Sequence, residues 1–264
     1  MNAVFQQDAT GEASEQVRAR LLARCGEPLF FADWQRAVFI HYEVDVEALQ
    51  REVPFELDLR AGRAYVSLVA FTMRGLRPRV GGRLGAWLFK PIGTHEFLNV
   101  RTYVRCGGET GIYFLAEWLS NPLSVRLGPF SYGLPYRFGT MNYEHRHEEG
   151  NLRGHVACAA SNRSLGYDAR VEPEATFHPC AANSVDEFLM ERYTAFTRRG
   201  SSSRLFRIWH VPWPQLPIDV SVEDHGLLAT TGEWSKHASL VSANYSPGVR
   251  EVWMGRPHRI PKAD

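Results

Sequence analysis

The chain has 264 residues, of which 44% are hydrophobic and 22% charged, and its formal net charge is +1. That balance, with arginines scattered among acids, excludes the basic stripe of a nucleic-acid or anionic-membrane binder, and the length is ample for one domain with a real core. Cys25, Cys106, Cys158 and Cys180 show neither CxxC spacing nor a small-domain disulfide framework, so they read as reduced thiols of a cytoplasmic protein.

Residues Met1–Leu29 lack the apolar h-region of a signal peptide, and Glu12–Arg24 reads as a short helix. This stretch is expected to be an extension before a single domain over residues 30–257, followed by a tail, 258–264. No apolar run reaches the length of a membrane-spanning helix. Ala37–Val44 alternates as a strand with His41 inside it, and Asp45 caps a helix over Val46–Glu52 that Pro54 stops. Phe55–Leu59 and Ala64–Met73 read as a hairpin across Arg60-Ala61-Gly62-Arg63. The Gly-rich stretch Val80–Ala86 reads as a lid or rim loop and lacks the strand-to-helix context of a phosphate loop.

Thr94–Arg137 is the chemically unusual part. Glu96–Arg105 and Ile112–Leu119 flank the turn Cys106-Gly107-Gly108-Glu109, which predicts a hairpin. Alternation puts Phe97, Asn99, Arg101, Tyr103 and Arg105 on one face, and Glu96, Leu98, Val100, Thr102 and Val104 on the other. On the second strand Tyr113, Leu115 and Glu117 oppose Ile112, Phe114, Ala116 and Trp118. Neither strand has a cleanly polar face, which leaves two readings: an Arg–Glu pair on a solvated sheet face, or inward charge on a cavity wall that presents an arginine fork to an anionic group. A one-residue bulge would exchange Arg101 for Glu96 there. Asn121-Pro122 opens a short helix that Gly128-Pro129 ends.

Further on, Met141–His147 pairs with Leu152–Ala160. His145 and His147 share a face with His155 opposite, but Glu144, Arg146 and Glu148 around them mark an exposed hairpin tip, and no metal is assigned. Tyr167–Glu172 is a strand. Ser184-Val-Asp-Glu187 is a capping box for a helix whose stripe, Val185, Phe188, Leu189, Tyr193 and Phe196, runs to Arg198-Arg199-Gly200. Arg204–Val211, Pro217–Val222, Leu240–Asn244 and Val249–Met254 complete the strands. Many short runs between turns imply an α+β domain, mainly antiparallel β, as a barrel or cone with few helices.

The runs FLNVRTYVR, GIYFLAEWLSN and YGLPYR, with AYVSLVAFTMRGLRPR before them and FRIWHVPWP after, resemble the YqjF-like family, domain of unknown function 2071, from Trp34 to Trp253. More distantly that family resembles acetoacetate decarboxylase. The resemblance implies a cone-shaped antiparallel β-barrel with one or two packed helices and a small-molecule site inside. The decarboxylase's imine-forming lysine lies in a Gly-x-Pro-Lys-Lys segment. The matching residues here are Gly133-Leu134-Pro135-Tyr136-Arg137, which puts Tyr136 in the nucleophile's place and Arg137 beside it. A phenol has no amine and a guanidinium stays protonated, so neither forms an imine. Of Lys90, Lys236 and Lys262, only Lys90 has apolar neighbours, and it reads as a surface residue.

Two functional readings follow. In the first, the protein acts on or binds a small carboxylate or keto acid in a barrel cavity, without Schiff-base chemistry. Arg101 grips the carboxylate, with Asn99, Tyr103, Arg137 and His41 as further ligand-binding residues. Tyr136, Glu96 and Glu117 are the proton-transfer candidates, and Arg137 is expected to lower the phenol's pKa. In the second, a non-catalytic cavity holds an apolar or aromatic molecule, and the charged residues are structural pairs. Either way the expected partner is a small molecule, with no cofactor, nucleic acid or membrane, and with homo-oligomerisation left open.

Overall fold

The computed structural model of the chain describes residues 8–260. Its elements run α1 (Asp8–Leu22), β1 (Phe30–Val44), α2 (Val46–Glu52), β2 (Glu56–Leu57), β3 (Ala64–Pro78), α3 (Gly82–Phe89), β4 (His95–Cys106) and β5 (Glu109–Leu119). Then come α4 (Pro122–Ser131), β6 (Tyr136–Arg146), β7 (Asn151–Cys158), β8 (Ser164–Arg170), α5 (Val185–Met190), β9 (Thr194–Arg199) and β10 (Ser202–Trp209). The last strands are β11 (Leu216–Pro217), β12 (Val220–Asp224), β13 (Ser239–Met254) and β14 (His258–Arg259).

Pairing is antiparallel throughout except where β6 and β9 meet β5 in parallel. Going round through β9, β10, β13, β1, β3 and β4, the pairings return to β5, so seven strands follow one another in a cycle. From β5 the sheet also extends outward as a wing, β6-β7-β8-β12. Alternation along the shared strands then builds two cores. Phe39, Phe71, Phe97, Phe114, Phe206 and Val252 fill the interior of the cycle. Val38, Leu68, Leu98 and Trp118, from the opposite faces of those strands, pack against Leu152, Val156 and Tyr167 of the wing. Strands buried on both faces read as near-continuous apolar runs, which is what β3 shows over Ala64–Phe71.

Local signals hold where the backbone needs them. Asp45 accepts a hydrogen bond from Ala48 N at 2.7 Å and opens α2; Asn121 accepts one from Ser124 N at 3.0 Å and opens α4. Several expectations are corrected. The predicted helix from Val185 to Phe196 is six residues long, because Thr194–Arg199 is taken up as β9 between β5 and β10, where Phe196 is fully buried against Phe55. Glu56–Leu57 pairs with β4, not with the strand after its own turn. The Gly-rich stretch after Val80 forms α3, and α4 runs through Gly128-Pro129 to Ser131. His145 is not at an exposed tip: it is 2% exposed, with Nδ1 2.6 Å from the Arg36 carbonyl oxygen and Nε2 2.6 Å from the Tyr167 hydroxyl.

Two long pairings were unreadable locally. Leu240–Asn244 and Val249–Met254 belong to one strand, β13, which pairs with nearly the whole of β1. Helix α1 rests its Val17 and Leu21 on Tyr193 and Trp209, and Ser14 donates to the His210 carbonyl at 2.7 Å. Among the described residues, no helix is long and apolar enough to cross a membrane.

The β5–β9 contact is tight: a Cβ on Gly111 would lie 2.3 Å from the Thr194 carbonyl oxygen. We expect Gly111→Ala to destabilise the fold by about 1–3 kcal/mol, read as a lower urea midpoint at unchanged slope. An unchanged midpoint would show that β9 gives way freely.

Candidate functional site

Inside the cycle of strands the aromatic packing leaves a cavity of about 90 Å³, walled by Trp34, Phe39, Phe71, Phe114, Ile208 and Trp213 among others. Polar side chains enter it from successive cross-strand positions. Val69, Asn99, Glu117 and Tyr136 form one row, since Val69 pairs with Asn99, Asn99 with Glu117, and Glu117 with Tyr136. The next row is His41, Ser67, Arg101 and Phe114. Neighbours across strands lie within side-chain contact distance, so register alone brings Asn99, Arg101, Glu117 and Tyr136 to one chamber.

Glu117 arrives by way of a bulge. Simple alternation puts Phe114 and Glu117 on opposite faces of β5. Between the pairs Val100–Ala116 and Arg101–Phe114 the register slips by one residue, leaving Leu115 as the extra one. Phe114 and Glu117 therefore line the same chamber, while Ala116 and Trp118 join the outer core. The bulge lies on β5 and not on β4, so Arg101 stays inside and Glu96 outside.

Arg101 is 7% exposed and makes no ion pair among the described residues. Its Nη2 donates to the Leu189 carbonyl at 3.0 Å, its guanidinium lies 5.7 Å from the Phe39 ring centroid, and its buried Nε has no partner. Beside it Asn99 Oδ1 and Glu117 Oε2 are likewise buried without hydrogen bonds. Burial pushes the Glu117 carboxyl well above the usual carboxylate range, with the Arg101 charge acting against it. Burial, and then the neighbouring Glu117, raise the Tyr136 phenol as well. Both groups are thus held as neutral hydrogen-bond donors. His210, also in the wall, is lowered by burial to about 4 and is neutral too.

The remaining candidates lie behind or outside this chamber. Tyr103 donates to the Leu189 carbonyl at 2.8 Å and meets Ser67 Oγ at 2.5 Å, and Ser67 Oγ lies 2.6 Å from His41 Nδ1. These residues brace the wall that carries Arg101. Burial, reinforced by the Arg101 charge, lowers His41 to about 3, so this imidazole adds no positive charge there. Glu96 accepts from Ser120 Oγ at 2.5 Å on the opposite face of β4. Arg137 lies 5.1 Å from the Trp118 ring centroid and donates to Thr230 Oγ1 at 2.9 Å, which places it outside the chamber, where it does not lower the Tyr136 phenol.

Other features were hidden from the sequence. Arg192 reaches the chamber wall, pairs with Asp58 at 2.7 Å and lies 4.1 Å from the Phe188 ring centroid. Gly128, read as a helix stop, is where α4 meets the Tyr136 ring: a Cβ there would lie 2.1 Å from Tyr136 Cε2. No lysine lines the chamber. Lys90 is exposed, Lys236 is exposed and paired with Glu233, and Lys262 lies outside the described residues. Among the described residues, no group of three or more His, Cys, Asp or Glu side chains is placed to hold a metal.

The architecture has clear counterparts. An acetoacetate decarboxylase from Legionella pneumophila superposes with a TM-score of 0.62 at 16% identity, covering 88% of this chain and 87% of that one. An acetoacetate decarboxylase-like enzyme from Sphingomonas wittichii RW1 does so at 0.62 and 12% identity, over 89% and 94% of the two chains. The enduracididine biosynthesis enzyme MppR complexed with pyruvate gives 0.59 at 14%, over 88% and 90%. The fold is therefore of the acetoacetate decarboxylase type. Within that class the chain belongs to the DUF2071 family of uncharacterised conserved proteins, which it matches over residues 32–250. It is also 28% identical to the uncharacterised protein YqjF of Bacillus subtilis (strain 168) over 206 residues, 74% of this chain and 80% of that protein.

A carboxyl group whose pKa is raised on folding contributes stability below its unfolded value, about 4.3, and loses it as pH rises toward the folded value. Glu117→Gln keeps the shape and removes the titration. Denaturant titrations from about pH 4 to about pH 8 should show the variant gaining on wild type as pH rises. A difference that stays constant with pH would mean that Glu117 ionises as freely folded as unfolded.

Proposed function

We propose that the chamber binds a small carboxylate of the keto-acid type and acts on it without an imine. One observation carries the reading. A buried arginine with no ion pair faces an apolar chamber beside an unpartnered amide oxygen and a carboxyl held neutral. An uncompensated buried cation costs several kcal/mol, and a bound carboxylate would offset that cost through charge-assisted hydrogen bonds. That the similarly folded MppR has been obtained with pyruvate agrees with a keto-acid ligand.

With the carboxylate on Arg101, the adjacent carbonyl oxygen faces Glu117 and Tyr136. As neutral donors they stabilise negative charge developing on that oxygen while the neutral His210 imidazole, in the same wall, takes a proton from the neighbouring carbon and returns one to it. Asn99 orients the acid from the same row. Tyr136 in place of an amine supports polarisation of the carbonyl rather than covalent capture.

Calorimetric titration with pyruvate should give binding that Arg101→Met weakens about ten- to a hundredfold, the contribution expected of a charged hydrogen-bonding partner. Solvent deuterium exchange into the methyl group should fall in Glu117→Gln. Binding indifferent to Arg101 would overturn the proposal. It would favour the alternative, a non-catalytic cavity for an apolar or aromatic molecule, which the aromatic wall also suits.

A further inference from the structure

The inner chamber does not end at its aromatic wall. Met73, Phe97, Leu134, Tyr136, Phe206 and Met254 also line a second cavity of about 320 Å³, so these residues form a waist between the two. The outer chamber lies under α3, the 3-10 turn Lys90–Ile92 and α4, and Phe30, Leu76, Phe89, Ile92, Leu127 and Phe130 supply much of its wall. Its mouth is apolar as well: Leu127 and Phe130 of α4 are 47% and 71% exposed.

Polarity is distributed unequally along this path. Every charged side chain in the two linings belongs to the inner chamber. The outer chamber has His95, which is 4% exposed, has no hydrogen bond at either ring nitrogen, and is kept neutral by burial, with a pKa of about 4. A neutral imidazole offers a ligand one donor and one acceptor without placing charge beside an apolar group. A carboxylate would be costly to desolvate in such surroundings, whereas at Arg101 it finds a cation.

We infer that the ligand is a monocarboxylic acid with an extended apolar tail, aliphatic or aryl, bound head first: carboxylate in the inner chamber, tail through the waist into the outer one. This rests on Arg101 being the carboxylate seat. Phe97 of the waist stacks on Phe71 at 5.1 Å and lies 4.7 Å from the His95 ring, so a tail crossing there would lie against aromatic faces. The larger outer volume then selects for tail length and not for the head.

The test is calorimetric titration of the full chain with acetate, pyruvate, hexanoate and decanoate, using wild type, Arg101→Met, and two variants that fill the outer chamber, Ile92→Trp and Leu127→Trp. Leu127 is exposed on α4 and tolerates a larger side chain, so one filling variant should fold even if the other does not. Each added methylene should tighten wild-type binding about fourfold until the chamber is full. The tryptophan variants should lose that gain yet bind acetate and pyruvate as wild type does, and Arg101→Met should weaken every acid. Flat affinity across the series, or a chain-length gain that survives both tryptophans, overturns the tail site while leaving the head site standing. Failure of all the acids to bind wild type, or equal binding by Arg101→Met, overturns the carboxylate seat and with it this inference.

Discussion

A guanidinium held in an aromatic interior is the constraint to which the rest of this molecule answers. Arg101 cannot shed its proton, so its surroundings must supply acceptors and must neutralise or pair any further positive charge. The backbone meets the first need through Leu189, whose carbonyl also takes the Tyr103 hydroxyl, fixing α5 against the inner wall of the sheet. Burial meets the second in part by keeping His41 and His210 neutral, and Asp58 pairs with Arg192, the other guanidinium in the wall. The nearest carboxyls are not ordinary counter-ions either. Glu117 is pushed well up by burial, and the half-buried Glu191 up to about 7 by desolvation.

The sheet makes such a place available because it has two insides. The cycle of strands encloses one core and the wing covers the other, so both faces of β3, β4 and β5 are buried. Antiparallel pairing sets side chains from adjacent strands in transverse rows, and one such row carries Asn99, Glu117 and Tyr136. The single extra residue on β5 turns Glu117 inward. A bulge beside a site, re-aiming one side chain, is a recurrent use of that irregularity.

Chemically, the chamber has no lysine amine in its lining. What it offers is one permanent cation without an ion pair, Arg101, a second, Arg192, that is paired with Asp58, one amide, and two groups that burial pushes toward their protonated forms. On the proposed reading those groups would bind and polarise an acid rather than capture it covalently. The chamber shares six lining residues with a wider apolar cavity, and the charged side chains of the two linings all lie in the inner one.

Much of the architecture could be read from the chain: caps at Asp45, Asn121 and Ser184, turns at glycine, strands as short apolar or alternating runs, and a family resemblance pointing to the decarboxylase fold. These are local signals, because a cap or a turn is decided by a few neighbouring residues. Alternation within β4 likewise set Phe97, Asn99, Arg101 and Tyr103 on a shared face. What escaped was everything decided by a distant partner. Thr194–Arg199 carries a helical stripe in sequence but is a strand, because β5 and β10 stand ready on either side of it. Glu117 faces inward because of a bulge that pairing with β4 imposes, and Arg137 faces outward because β6 leaves the cycle to begin the wing. The sequence by itself determined which residues could form strands, turns and caps, and that no lysine stands where the imine would form. The tertiary structure decided which face of each strand became the chamber, since burial is settled only when the far strands arrive and close the space.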